Sequence, residues 1–213
     1  MAMIAHTVSD LAAFVNARSR NCDRFLVGIA GPPGVGKSTL AEALNHALAA
    51  EGDAVTTVPM DGFHLDNDRL KALGLLKRKG APETFDARGF VTLVRQLKDN
   101  SAPVSIPAFD RDADCVRPDA AIVATHCRYV LIEGNYLLLD RQPWSEISGL
   151  LDCRVFLTAQ MDTLRERLIS RWVTHGFDRQ MAEKKAFGND IPNGELVMLQ
   201  SLPADIEFHH DRS

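Results

Sequence analysis

Residues 31–39 read GPPGVGKST, and Gly31, Gly36, Lys37 and Ser38 fit the pattern G-x-x-x-x-G-K-[ST]. The apolar run FLVGIA (25–30) precedes the stretch at strand length. Leu40, Leu44 and Leu48 follow it at helical spacing, up to a terminating Gly52. A strand on one side and a helix on the other is the context a phosphate loop requires. Its glycines let backbone N–H groups curl toward phosphate oxygens, and the helix adds its positive N-terminal end. The whole loop, Gly31, Pro32, Pro33, Gly34, Val35, Gly36, Lys37, Ser38 and Thr39, is the expected nucleotide site. Lys37 is expected to reach the β- and γ-phosphates and Ser38 to bind Mg²⁺, so ATP and Mg²⁺ are the expected cofactors.

Working outward, apolar runs recur at AVTTV (54–58), YVLIEG (129–134), CRVFLT (153–158) and, weakly, ADIEF (204–208). Helical stretches separate them, an order that predicts a parallel sheet covered by helices on both faces, a three-layer α/β/α fold. Asp86 is placed to cap a helix burying Phe90, Leu93, Val94 and Leu97. The stretch MDTLRERLISRWVTHG (161–176) predicts a helix that buries Leu164, Leu168 and Trp172 and stops at Gly176. Near the N-terminus, Thr7-x-x-Asp10 with Leu11, Phe14 and Val15 suits an amphipathic helix. Residues 61–85, rich in Gly, Pro, Lys and Asp, read as an excursion at the sheet's edge on the substrate side, and 160–195 as a lid region. Within that lid, GNDIPNG (188–194) reads as a turn that either closes the lid or borders the adenine.

At 213 residues and 46% apolar, the expectation is a single domain spanning 1–213. A net charge of −4 gives no electrostatic reason to expect nucleic acid or an anionic membrane as partner. Cys22, Cys115, Cys127 and Cys153 are scattered without zinc-site spacing and read as reduced thiols. No signal peptide and no 18-residue apolar run is present, so a cytoplasmic protein with a small-molecule substrate is expected, a homodimer being left open.

A phosphate loop provides nucleotide binding, not a reaction. Neither N-K-x-D nor L-S-G-G-Q occurs, and the strand that would end in Asp-Glu in a ring ATPase ends in Ile132-Glu133-Gly134. A kinase is the leading reading. Asp61, after AVTTV, and Glu133 both fall at carboxyl ends of strands, where ligands of a parallel sheet lie. Glu133 is expected near the metal and Asp61 as the base that accepts the acceptor's proton. Arg167 and Arg171, four apart on one helix face, are placed to neutralise the transferred group. His64, Phe109, Asp110, Arg111 and Tyr136 stand in expected loops past strand ends, where polar side chains could read an acceptor's hydroxyls.

Taken in order, GPPGVGKST, MDGFHLDN (60–67), RKGAPETFD (78–86), IPAFDRDAD (106–114), VLIEGNYLLL (130–139) and RLISRW (167–172) resemble one P-loop kinase group. That group holds uridine kinase, phosphoribulokinase and bacterial-type pantothenate kinase and, over the whole chain, the bacterial proteins provisionally named fructose transport system kinases. The resemblance implies a five-stranded parallel sheet and ATP-dependent phosphorylation of a small-molecule hydroxyl. It implies that Lys37 and Ser38 hold phosphates and Mg²⁺, that Asp61 is the catalytic aspartate, that Glu133 is the glutamate of the EG strand, and that Arg167 and Arg171 are lid arginines. Arg78, Lys79 and Asp86 become candidates for the substrate side. Two alternatives stay open at this point. One is a nucleoside kinase that stacks a base on Phe63, Phe109 or Tyr136, and the other is a nucleotide-dependent switch with no acceptor.

Overall fold

Phe25–Ala30 and Tyr129–Gly134 are buried at every position, which a strand achieves only when helices cover both faces of its sheet. The computed structural model describes residues 2–209. In chain order it contains β1 (Met3–Ala5), α1 (Val8–Arg18), β2 (Phe25–Ala30), α2 (Lys37–Ala49), β3 (Val55–Pro59), α3 (Asn67–Ala72) and α4 (Ala87–Asp99). There follow β4 (Val104–Asp110), β5 (Cys115–Val123), β6 (Tyr129–Gly134), the one-turn α5 (Ser145–Ser148) and β7 (Cys153–Thr158). The chain continues through α6 (Met161–Thr174), α7 (Arg179–Lys185), α8 (Ile191–Gln200) and β8 (Ile206–His209).

The main sheet is parallel throughout, in the order β1-β8-β7-β2-β6-β3. It has six strands rather than the five expected. The extra strand is the edge strand β1, which pairs Met3–Ala5 with Ile206–Phe208. Three residues are too few for a periodic signal, and β1 becomes a strand only because β8 is there to pair with it.

Alternate residues of the central strands feed two cores. Leu26, Val58, Val130 and Ile132 pack with Phe90, Val94, Leu97 and Trp144. Val27, Ile29, Leu131 and Val155 pack on the other face with Leu11, Val15, Leu40, Leu44 and Leu48. The expected caps are present: Thr7 accepts from Asp10 N–H and Asp86 from Gly89 N–H. A third, smaller core of Leu168, Ile169, Ala182, Ala186 and Ile191 ties α6, α7 and α8 into one unit.

Two local expectations are corrected. Phe109 and Asp110 are not in a loop; they end β4, which pairs antiparallel with β5, and Arg111 begins the turn between them. GNDIPNG is helical rather than a turn: Ala186–Asp190 forms a π-helical turn that runs into α8. Pro192 lies in the first turn of α8 directly after that π-helical turn and has no N–H to donate back to it. Among the described residues no helix is long and apolar enough to cross a membrane.

Candidate active site

The phosphate loop sits at the carboxyl end of the central β2, flanked by β6 and β7. Gly34 and Gly36 take φ of +78° and +103°, a left-handed backbone that side chains with a Cβ resist. Gly36 caps α2 with no side-chain hydrogen bond, which leaves the first-turn N–H groups to an incoming anion. Within the loop Pro32, Pro33 and Val35 are buried, whereas Ser38 and Thr39 are exposed at the start of α2.

Lys37 is only 8% exposed. Its ammonium donates to the Pro32 carbonyl at 3.0 Å and to Asn135 Oδ1 at 2.6 Å. Burial pushes its pKa down to about 8, against the opposing pull of Glu133 and Asp61. A cation held at such cost awaits an anion.

Register places the acidic partner. β2 pairs with β6 so that Ile29 faces Glu133 and Ala30 faces Gly134. Glu133, 9% exposed, accepts a hydrogen bond from Ser38 Oγ at 3.2 Å. Burial raises its carboxyl pKa, with Lys37 opposing and Asp61 reinforcing the rise. A hydroxyl beside a carboxylate is a hard oxygen set suited to Mg²⁺, which is held through few protein ligands and completed by phosphate oxygens. Asn135, next to the EG pair, is a site residue that sequence reading missed; its position two residues after Glu133 was the available signal.

Asp61 lies in a 3₁₀ turn, Met60–Phe63, beyond β3, whose Pro59 is paired with Glu133. Gly62 is required by close approach: a Cβ there would sit 2.6 Å from the Pro107 carbonyl oxygen. The β4–β5 hairpin is thereby laid against the turn, and Arg111 Nη2 reaches Asp61 Oδ2 at 3.2 Å. His64 Nδ1 lies 2.9 Å from the Asp61 carbonyl; a carbonyl only accepts, so Nδ1 carries the proton. Burial lowers the His64 pKa, and its ring lies 4.1 Å from that of Phe85 and 4.7 Å from that of Phe109.

The other acceptor-side candidates separate. Lys79 Nζ meets Asp114 Oδ1 at 2.7 Å and Asn67 Oδ1 at 2.8 Å, and stands 5.1 Å over the Phe109 ring. It shares that neighbourhood with His64. Arg78 is exposed and pairs with Glu83 at 2.7 Å. Asp110 Oδ1 accepts from the N–H groups of Asp112 and Ala113, shaping the hairpin turn. Asp86 is committed to its helix cap. Tyr136 is buried, its phenol pKa pushed far up by desolvation, and its hydroxyl donates to the Gly80 carbonyl at 2.6 Å. It supports the excursion from behind.

On α6, Arg167 Nη1 donates to the Val35 carbonyl at 3.4 Å, and Leu168 covers Gly34. Arg171 pairs with Asp190 at 3.1 Å, while Trp172 Nε1 donates to the same carboxylate oxygen at 2.6 Å. Arg167 thus faces the phosphate loop, and Arg171 faces the π-helical turn that carries Asp190.

The chain is similar to known kinases over most of its length. Residues 26–184 match the phosphoribulokinase / uridine kinase family. A crystal structure from Silicibacter sp. TM1040, of a protein provisionally named fructose transport system kinase, is 43% identical with a TM-score of 0.91, covering 95% of this chain and 99% of that one. A Schizosaccharomyces pombe protein provisionally named uridine kinase is 34% identical, covering 86% of this chain and 82% of its own. The pantothenate kinase of Clavibacter michiganensis is 32% identical over 84% of this chain and 55% of its own. Because the family match spans residues 26–184 and the Schizosaccharomyces pombe relative is aligned over most of both chains, the chain belongs to the phosphoribulokinase / uridine kinase family and is an ATP-dependent kinase of small molecules.

Proposed function

We propose that this kinase transfers the γ-phosphoryl group of ATP to a hydroxyl of a small polar metabolite, a sugar such as fructose or a pantothenate-like alcohol. The observation that carries this reading is the placement of buried Lys37 in the phosphate loop together with two carboxylates at neighbouring strand ends, Glu133 bonded to Ser38 at the end of β6 and Asp61 just past Pro59, which pairs with Glu133. Bound Mg·ATP supplies the phosphoryl group and the metal's charge. Lys37 and the loop N–H groups hold the phosphates, and Ser38 and Glu133 hold the metal. Asp61 accepts the acceptor hydroxyl's proton, and Arg167 with Arg171 neutralises charge on the transferred group. His64, Lys79 and Phe109 line the acceptor side. A bare nucleotide switch has no use for a base aimed past the phosphates.

The aromatic rings favour this acceptor class over a nucleoside. Phe63 lies 5.0 Å from the core ring Phe90, and Tyr136 is fully buried. Phe109 already bears His64 and Lys79 on its ring. Tyr136 therefore offers no face to a base, and Phe63 and Phe109 already share theirs with neighbouring side chains.

The test is ADP formation measured by a coupled assay with sugars, hydroxy acids, pantothenate and nucleosides added singly. An acceptor-dependent rise with a sugar or pantothenate-like alcohol supports the reading. Slow ADP release that no acceptor changes would favour the switch, and a rise confined to nucleosides would favour the nucleoside kinase.

A further inference from the structure

The lid segment GNDIPNG and the excursion RKGAPETFD are distant in sequence and bonded in space. Along Ala186–Asp190 the backbone winds as a π-helical turn, a geometry that re-aims side chains and recurs at functional sites. Two neighbours on that turn serve different partners. Asp190 binds Arg171 and Trp172 inside the lid. Asn189 Nδ2 instead donates to the backbone carbonyl of Lys79 at 2.8 Å, and its own Oδ1 accepts from Asn193 Nδ2 at 3.2 Å, which fixes the amide's orientation.

The next carbonyl along, that of Gly80, is held by the Tyr136 hydroxyl at 2.6 Å. Adjacent peptide carbonyls are therefore gripped from two directions, one by the lid and the other by the loop that follows Glu133. From the gripped backbone the Lys79 ammonium extends toward Asp114, Asn67 and Phe109. The lid in turn bears on the phosphate loop through Arg167 on Val35, Leu168 over Gly34, and Gly194 near Pro32 and Pro33. Its own small core carries that contact from α6 to the π-helical turn.

We propose that Asn189 is a positioning residue that couples nucleotide binding in the phosphate loop to the placement of Lys79 and the acceptor-side segment 79–84. A nucleotide that orders α6 orders Asn189 through the shared core, and Asn189 passes the order to the Lys79 carbonyl; by linkage, an acceptor seated against Lys79 tightens the nucleotide equally. The inference rests on the kinase reading for the nucleotide's place in the loop and for the acceptor's place beside Lys79.

Hydrogen–deuterium exchange on the full chain, with and without Mg²⁺ and the non-hydrolysable analogue AMPPNP, tests it without knowledge of the acceptor. The amides of Gly80, Ala81 and Thr84 donate to Thr84 Oγ1, the Arg78 carbonyl and the Ala81 carbonyl, and so report the segment's opening. In the wild type the analogue should slow their exchange by about 3- to 10-fold, the worth of one neutral hydrogen bond. Asn189→Asp keeps the side chain's size and its acceptor for Asn193 but cannot donate to Lys79. It should lose that protection while the lid stays protected and analogue affinity changes less than about threefold. Should Asn189→Asp fail to fold, Asn189→Ala gives the same readout. Equal protection in the variant, or bound analogue with no protection at 79–84 in the wild type, overturns the coupling and leaves the kinase reading standing. Failure of the analogue to bind overturns both.

Discussion

The Lys37 ammonium lies 2.6 Å from Asn135 Oδ1, a contact that joins the phosphate loop to the end of β6. Because Lys37 is buried, Asn135 stabilises a charge largely shielded from water. Asn135→Ala should cost the ligand-free protein about 1.5–3 kcal/mol, the worth of a hydrogen bond to a charged group. Phosphates offer that ammonium new partners, so the rise in melting temperature on adding Mg·ATP should be larger in the variant than in the wild type. An equal rise in both proteins would separate Asn135 from the charge on Lys37.

The same burial predicts a pH dependence of binding. Lys37 titrates at about 8 in place of its ordinary 10.5, so above pH 8 the empty site loses its cation while the unfolded chain keeps it. For this group alone, stability of the empty fold therefore rises with pH between about 8 and 10.5. Bound phosphate restores the charge, so nucleotide binding takes up a proton there, and affinity should fall by up to about tenfold per pH unit. Calorimetry from pH 7 to 10 should show this slope in the wild type and none in Lys37→Met.

Glu133 has a raised pKa because its carboxylate is buried, so ionisation costs the empty fold stability. The folded state binds more protons than the unfolded state between the ordinary and the raised value, and this group's contribution to stability falls as pH rises through that window. Glu133→Gln should raise the melting temperature at neutral pH and reduce Mg²⁺-dependent turnover together. A variant that melts lower and keeps wild-type Mg²⁺ dependence would contradict both assignments.

Gly62→Ala places a methyl group 2.6 Å from the Pro107 carbonyl oxygen, so the Asp61 turn and the hairpin must part. Overpacking of this kind costs about 1–3 kcal/mol. Chemical denaturation should show that loss, and turnover should fall more than nucleotide affinity, since the shift falls on Asp61, the proposed base, and not on the loop.

Asp61→Asn should lower turnover by about 10²- to 10⁴-fold, the range for loss of a general base, with nucleotide affinity maintained. Its ion-pair partner Arg111 is 72% exposed, and such a pair contributes at most about 1 kcal/mol to stability. The melting temperature of the variant should therefore stay close to that of the wild type. Retained turnover would remove Asp61 from the role of base.

Patterns of short range were legible in the chain itself. FLVGIA, the glycine loop and the Leu40, Leu44 and Leu48 spacing together define strand, cradle and helix, because each is encoded in adjacent residues or one periodicity. The same holds for the caps Thr7 and Asp86 and for the strand ends that carry Asp61 and Glu133. Pairings between distant residues were decided by tertiary structure alone. Strand order brings β8 to Met3–Ala5 and makes a strand of residues with no periodic signal. The hairpin, folded against Gly62, delivers Arg111 to Asp61; register sets Asn135 beside Lys37; and the π-helical turn turns Asn189 toward Lys79. In each case the contact exists because independent segments converge at one end of the sheet, and no local stretch of chain encodes where its partner will arrive.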